Sequence, residues 1–306
     1  MKMGTKTVTI LALAASLVLP YVAGPYWTGL VTLMYIFGLL ALSIDLLLGH
    51  AGLFSLTHAS FFAVSAYTVA ILQVRYAVPT ALAAPAGVLA GTLLALVFGL
   101  AVRTRGVYFI LITIAFGYVV WGVAHRWSSF TGGDNGVTNV PFPAAGPLAI
   151  TSHTQYYYLV LVAVILCALG YRVLIRSPFG LGLRGIKASE TRMRSLGYRT
   201  TLHLYAAFVL SGALASFAGV LYVYYNKFVN PVAASFQVSV EAALMAIVGG
   251  SGTLVGAFIG AGVVLGLRNW VSSFFELHAA VMGAVFIATV LWAPQGLVGL
   301  ARRFFK

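Results

Sequence analysis

Long apolar runs, each near the ~20 residues that cross a bilayer, recur along this chain and are parted by short polar joints. They predict spanning helices over 7–23, 28–48, 57–74, 79–101, 107–125, 155–172, 202–225, 235–249, 254–268 and 278–293. The expected fold class is all-α, a polytopic membrane protein of about ten transmembrane helices in which some segments are short and interrupted by glycine. Residues 1–306 are expected to form one transmembrane domain. Two polar interruptions are longer than a joint needs to be, 126–154 and 173–201. Lys2 and Lys6 precede the first apolar run, and no small-x-small cleavage site follows, so that run reads as an uncleaved first helix.

Composition agrees with this pattern. Of 306 residues 61% are hydrophobic and 8% charged, against roughly a quarter charged in soluble domains. The net charge of +13 does not point to nucleic acid, because the basic residues gather in particular loops. With the N-terminus inside, fourteen of the eighteen Lys and Arg fall on the cytoplasmic side, leaving Arg75, Arg126, Lys227 and Arg268 outside. That asymmetry fixes the expected orientation, with both termini cytoplasmic. Cys167 is alone in an apolar run, so no disulfide or thiolate metal site is expected within the chain.

The interruption at 173–201 is expected to be a cytoplasmic loop that something touches. Seven basic residues lie between Arg172 and Arg199, opposed only by Glu190. A short helix is predicted from Ser189, a suitable N-cap, to Leu196, with Gly197 ending it. Met193 and Leu196, three apart, are expected to share a face.

Two glycine-rich breaks stand out. Gly49-His50-Ala51-Gly52 is matched by Gly249-Gly250-Ser251-Gly252, an offset of 200 residues that suggests an internal repeat. Paired breaks of this kind mark transport sites; tight cytoplasmic turns are the alternative. Three small-residue pairs, Gly87/Gly91, Gly256/Gly260 and Gly262/Gly266, predict helix-packing seams. Of five acidic residues, Asp45 and Glu241 fall inside predicted spans, where an ionisable group faces protein or water. Asp45 lies near the C-terminal end of its helix, unfavourable for an anion and so calling for a specific partner. Glu241 is expected either in the first turn of a helix starting near Ser239 or at a gate. Ser55, Thr57, His58, Ser60 and Tyr67 make the region after the first break polar enough to line an aqueous path, or to bond between helices. His50 and His58 have no carboxylate or thiol at ligand spacing, so no metal is expected. At 126–154, Thr131-Gly132-Gly133-Asp134-Asn135-Gly136 forms either a structured turn or an outward docking surface. No Gly-Lys pair exists, hence no Walker A motif, and any ATP would be bound elsewhere.

Several stretches together resemble the membrane permease subunits of ATP-driven branched-chain amino acid importers, the LivM-like family. They are 46–68, 105–116, 131–137, 177–198, 208–222, 247–261 and 293–300. This chain departs from the family pattern at His50, Thr57 and Asn135, where Tyr, Gly and Asp are usual. The resemblance implies a ten-helix permease in the bacterial inner membrane. It would pair with a homologous LivH-like permease, two ATP-binding cassette subunits holding ATP and Mg, and an extracytoplasmic solute-binding protein. Carried over by position, Ala188, Ser189, Glu190, Arg192, Met193, Leu196 and Gly197, with Arg184, would couple to the ATPase. From the residue reading above, independent of the resemblance, Asp45, Gly49, His50, Gly52, Ser55, His58, Glu241 and 249–252 are the candidates for the pathway or gate, and 131–136 for the docking site. Related permeases carry urea, short amides or aromatic amino acids, and an ion-gradient-driven transporter is the rival from another class. Such a carrier would need more buried ionisable groups than Asp45 and Glu241.

Overall fold

The structure is a computed structural model that describes residues 14–145, 148–272, 283–284, 287 and 296–304. It is almost entirely helical. After a helix over 14–22 come α1 (Gly24–Asp45), α2 (His58–Tyr76), α3 (Thr80–Phe98) and α4 (Val107–Arg126). These are followed by α5 (His153–Arg176), α6 (Pro178–Ala188), α7 (Glu190–Ser195), α8 (Thr200–Asn226), α9 (Phe236–Gly249), α10 (Leu254–Ser272) and α11 (Gly296–Phe304). A two-residue β-ladder pairs Ala144–Ala145 with Leu148–Ala149.

Among the described residues five helices are long and apolar enough to cross a membrane: Gly24–Ala51, Thr80–Arg103, Val107–Arg126, His153–Arg176 and Thr200–Asn226. The pair α9 and α10, bent by 119° at the second glycine break, makes a sixth if counted as one span. The protein is therefore a multi-pass helical membrane protein. The expected number is larger for identifiable reasons. Most of the span expected at 278–293, and residues 7–13 of the first one, lie outside the described residues. The spans expected at 235–249 and 254–268 are the two arms of the bend. The helix expected at 57–74 is present as α2, but His58, Ser60, Ser65, Gln73 and Arg75 make it too polar to pass on apolarity. Its neighbours shield it: α2 packs against α3 and α8 and is buried over most of its length.

The core forms along α8, which lies against α1, α2 and α3, while α10 packs on α1 and α9. Close approach comes from small residues. A Cβ on Gly87 would stand 2.8 Å from the Ser65 carbonyl oxygen, and one on Gly91 2.8 Å from that of Phe61, so this seam lets α3 lie on α2. Gly262 and Gly266 do not make such a seam, because only the Met34 side chain comes near them, at 3.9 and 3.7 Å.

The connections gather at two ends. At one, Val137 and Val229 exchange backbone hydrogen bonds (2.9 and 3.0 Å), the Val140 N–H donates to Lys227, and Arg75 Nη1 donates to the Ser129 carbonyl at 2.8 Å. At the other, here the basic end, sit both glycine breaks and the 173–201 segment. That segment holds one helix more than the sequence pattern suggested. Ser177 caps α6, Pro178 occupies its first turn, and Leu183 and Ile186 bury one face.

Candidate functional site: the glycine breaks and the basic loop

α1 does not stop at Asp45. It continues as a π-helical segment, Leu46–Ala51, and ends at Gly52, whose φ of 75° is left-handed. Asp45 therefore sits six residues inside a continuous helix, not at its terminus, which eases the dipole penalty. Its carboxylate is buried, at 1% exposure. Two neutral donors satisfy it: the Gly252 N–H on Oδ1 (2.6 Å) and the Tyr171 hydroxyl on Oδ2 (2.9 Å). The expectation of a specific partner thus holds, and the partner is the other break. Gly49 touches the same place. A Cβ there would lie 2.6 Å from Asp45 Oδ1 and 2.7 Å from Gly252 Cα. Two glycines 203 positions apart face each other because neither carries a side chain.

The remaining residues of the breaks divide by exposure. His50 is buried with its ring 5.9 Å from Tyr171. Gly249 and Gly250 are buried, whereas Gly52 and Ser251 are exposed. Beyond the break the chain turns back into the protein. The Leu56 N–H donates to Thr113 Oγ1 (3.2 Å), and the Ala59 N–H to Ser239 Oγ (3.1 Å). Ser211 Oγ donates to the Ser43 carbonyl (2.5 Å), so its lone pair receives the His58 Nε2–H at 2.6 Å. His58 Nδ1 and Ser55 Oγ are buried without a partner among the described residues. The start of α2 is thus a polar knot inside an apolar bundle.

Glu241 belongs elsewhere. α9 begins at Phe236, capped by Ser235, so Glu241 is past the first turn in which it was expected. It accepts from Arg268 Nη1 (3.0 Å) and Gln237 Nε2 (3.2 Å). Eight residues separate it from Gly249, ~12 Å of helix. Asp45 and Glu241 therefore do not share a site.

The basic loop keeps its local promises. Ser189 Oγ accepts from the Arg192 N–H (3.4 Å) at the start of α7, and Gly197 follows the helix at φ 85°. Other roles change. Glu190 is a tie rather than a free surface group: it pairs with Arg105 and Arg194 and accepts from the Thr200 hydroxyl at 2.8 Å. Met193 and Leu196 do not share a face, because Leu196 lies just beyond the last helical residue. Met193 packs on Gly185, while Leu196 is 69% exposed. Ala188, Arg192 and Gly197 are exposed, and Arg184 folds back onto the Ile175 and Gly180 carbonyls. Lys187, which sequence reasoning passed over, reaches the first break. Its Nζ donates to the carbonyls of Leu48 (3.1 Å) and Gly49 (2.7 Å). A cavity of ≈190 Å³ lies at this junction, bordered by Gly52, Thr104, Arg105, Lys187 and Glu190.

At the opposite end the expected docking cluster is mostly internal. Thr131 is buried, its hydroxyl donating to the Ala124 carbonyl at 2.6 Å, and Gly133 is buried too. Gly132 and Gly136 are half-buried with positive φ, and Gly136 abuts the Val229 carbonyl. Only Asp134, beside His125 Nδ1 at 2.7 Å, and Asn135 face outward. A larger cavity of ≈490 Å³ lies here between α2, α3 and α4, walled by Val64, Ile71, Phe98 and Val120 and reached by Tyr67, whose hydroxyl has no partner among the described residues. It touches neither glycine break.

A multi-pass bundle whose interrupted helices meet at one end has the architecture of a membrane transport protein. The chain belongs to the family described as branched-chain amino acid transport system / permease component, whose model matches residues 26–290. It is 27% identical over 311 residues to the high-affinity branched-chain amino acid transport system permease protein LivM of Salmonella typhimurium, covering 94% of this chain and 73% of that protein. A probable permease LivH of Methanocaldococcus jannaschii is 26% identical over 280 residues, 86% of this chain and 88% of that one. LivH of Escherichia coli is 31% identical over 153 residues, about half of each. No solved structure matches the chain. Family membership makes the protein a permease component and not an ATPase.

Proposed function

We propose that this chain is one membrane half of an ATP-driven importer for branched-chain or other hydrophobic amino acids, working with a homologous LivH-like permease. Two ATP-binding cassette subunits hold ATP and Mg on the cytoplasmic side, and an extracytoplasmic binding protein delivers solute. In this reading 1–306 is one transmembrane domain of about ten spans, in the bacterial inner membrane with both termini inside. Segment 173–201 is the coupling loop, and 126–154, through Asp134 and Asn135, meets the binding protein. The observation that carries the reading is α7: a capped helix that leaves Arg192, Leu196 and Tyr198 exposed beside the contact between the two glycine breaks.

The pathway runs by the breaks and the polar start of α2, with Asp45, Gly49, His50, Gly52, Ser55, His58 and 249–252 around it. No basic side chain lies in the middle of a span, so a solute carboxylate would be met by backbone N–H groups, hydroxyls and water. Selectivity then rests with the binding protein, and the permease alone should bind leucine no tighter than about millimolar, roughly 4 kcal/mol. Two measurements test the proposal. Affinity-tagged chain purified from its native membrane should bring an ATP-binding subunit with it, and uptake into proteoliposomes of that complex should need ATP and binding protein. Uptake driven by an ion gradient, with no ATPase attached, would overturn it.

A further inference from the structure

We propose that Lys187 is the positioning residue that ties the first glycine break to the basic loop, so that movement of α7 moves the contact between the breaks. This rests on the coupling role proposed for that loop. Lys187 is the penultimate residue of α6, two residues before the Ser189 cap of α7. Buried Leu183 and Ile186 anchor α6 in the core. Its ammonium donates to the Leu48 and Gly49 carbonyls, close to the end of the π-helical segment. A cation bonded to the final carbonyls of a helix is favoured both by the hydrogen bonds and by the helix dipole. The stem crosses Gly52 on the way, with Cγ 3.1 Å from where a Cβ at Gly52 would be.

Gly49 is thereby held from two sides. Its carbonyl is bonded to Lys187, and its Cα faces Gly252, whose N–H is bonded to Asp45. A shift of Lys187 must either stretch two charge-assisted hydrogen bonds or carry Gly49 with it. Carrying Gly49 alters the one place where the two breaks touch. Glu190, tied to Arg105 and Thr200, steadies the base of the same loop, so Lys187 is the element free to transmit.

Lys187→Met keeps the stem and removes the donors; Lys187→Arg restores a cationic donor. Hydrogen exchange on the purified permease reads the link without any partner. In K187M the amides of 48–53 should exchange about tenfold faster while those of α8 stay as in the parent, and K187R should return toward the parent. In the assembled transporter K187M should cut uptake per ATP hydrolysed by about tenfold, and K187R should return it toward the parent. If no ATPase accompanies even the parent chain, the importer reading fails while the exchange result still decides the link. Unchanged exchange at 48–53 overturns the proposal, as does coupling equal to the parent. So does a K187M permease that fails to accumulate, because Lys187 would then hold the fold and not the link.

Discussion

The two buried carboxylates from the spans are satisfied differently. At the basic end Asp45 has no cation in contact; a backbone N–H from one break and a phenol from α5 hold it, across 207 and 126 residues of sequence. Between α9 and α10 Glu241 is neutralised by Arg268, whose side chain is 35% exposed. A charge-assisted ion pair on partly exposed side chains tolerates displacement, since neither group is sealed in the core. A buried carboxylate held by two neutral donors tolerates little, because each lost bond leaves a polar group in a dry site. The first arrangement therefore ties three elements into one geometry, while the second steadies a helix pair.

The sharpest way to break that contrast is to push the breaks apart. Gly49→Ala places a methyl against Gly252 backbone and the Asp45 carboxylate, neither of which can swing aside. Overpacking plus the lost Asp45–Gly252 bond should cost about 3 kcal/mol or more, seen as a lower unfolding midpoint in detergent and loss of uptake. Gly170→Ala, where a Cβ meets nothing within 4 Å, is the proper control. Gly87 is not, since its seam is as tight as the break. Equal effects of G49A and G170A would mean that the breaks are ordinary turns.

Next comes Asp45→Asn. One amide oxygen cannot accept from both Gly252 and Tyr171, and the amide nitrogen faces donors, so about 1–3 kcal/mol should be lost. Tyr171→Phe removes one bond and should cost about half as much. If Asp45→Asn is as stable as the parent, the carboxylate does not tie the breaks together.

What the sequence disclosed follows from the range of each interaction. The Ser189 cap and the Gly197 stop act over three or four residues, and both stand where the pattern put them. The need of Asp45 for a partner was legible from its position in an apolar run, but the partner was not, since Gly252 N–H is one of hundreds of backbone donors. The matches of Gly49 with Gly249 and of Gly52 with Gly252 could be noticed as a pattern; that Gly49 touches Gly252 depends on how the two breaks meet in the fold. The Thr131–Gly136 sequence allowed a structured turn or a docking surface, and could not say what the Thr131 side chain does. Its hydroxyl bonds the carbonyls of Ala124 and Trp127 and locks the turn to α4. Lys187 was hidden among seven basic residues, and only its reach across to Leu48 and Gly49 sets it apart.

The smallest effect should come from the α9–α10 ion pair. Glu241→Gln removes the charge but keeps an amide oxygen that can still accept from Arg268, at the cost of the Gln237 bond, which lies on the other carboxylate oxygen. The Arg268 side chain stays partly exposed and keeps a hydrogen bond to the amide oxygen, so the guanidinium is not left buried without a partner. The expected destabilisation is under about 1 kcal/mol, with uptake close to that of the parent. Thermal unfolding and uptake should be measured on the same preparations of E241Q and D45N. If E241Q lowers uptake as far as D45N does while its unfolding midpoint stays unchanged, Glu241 serves the pathway itself, and the distinction between a tie at the breaks and a brace between α9 and α10 falls.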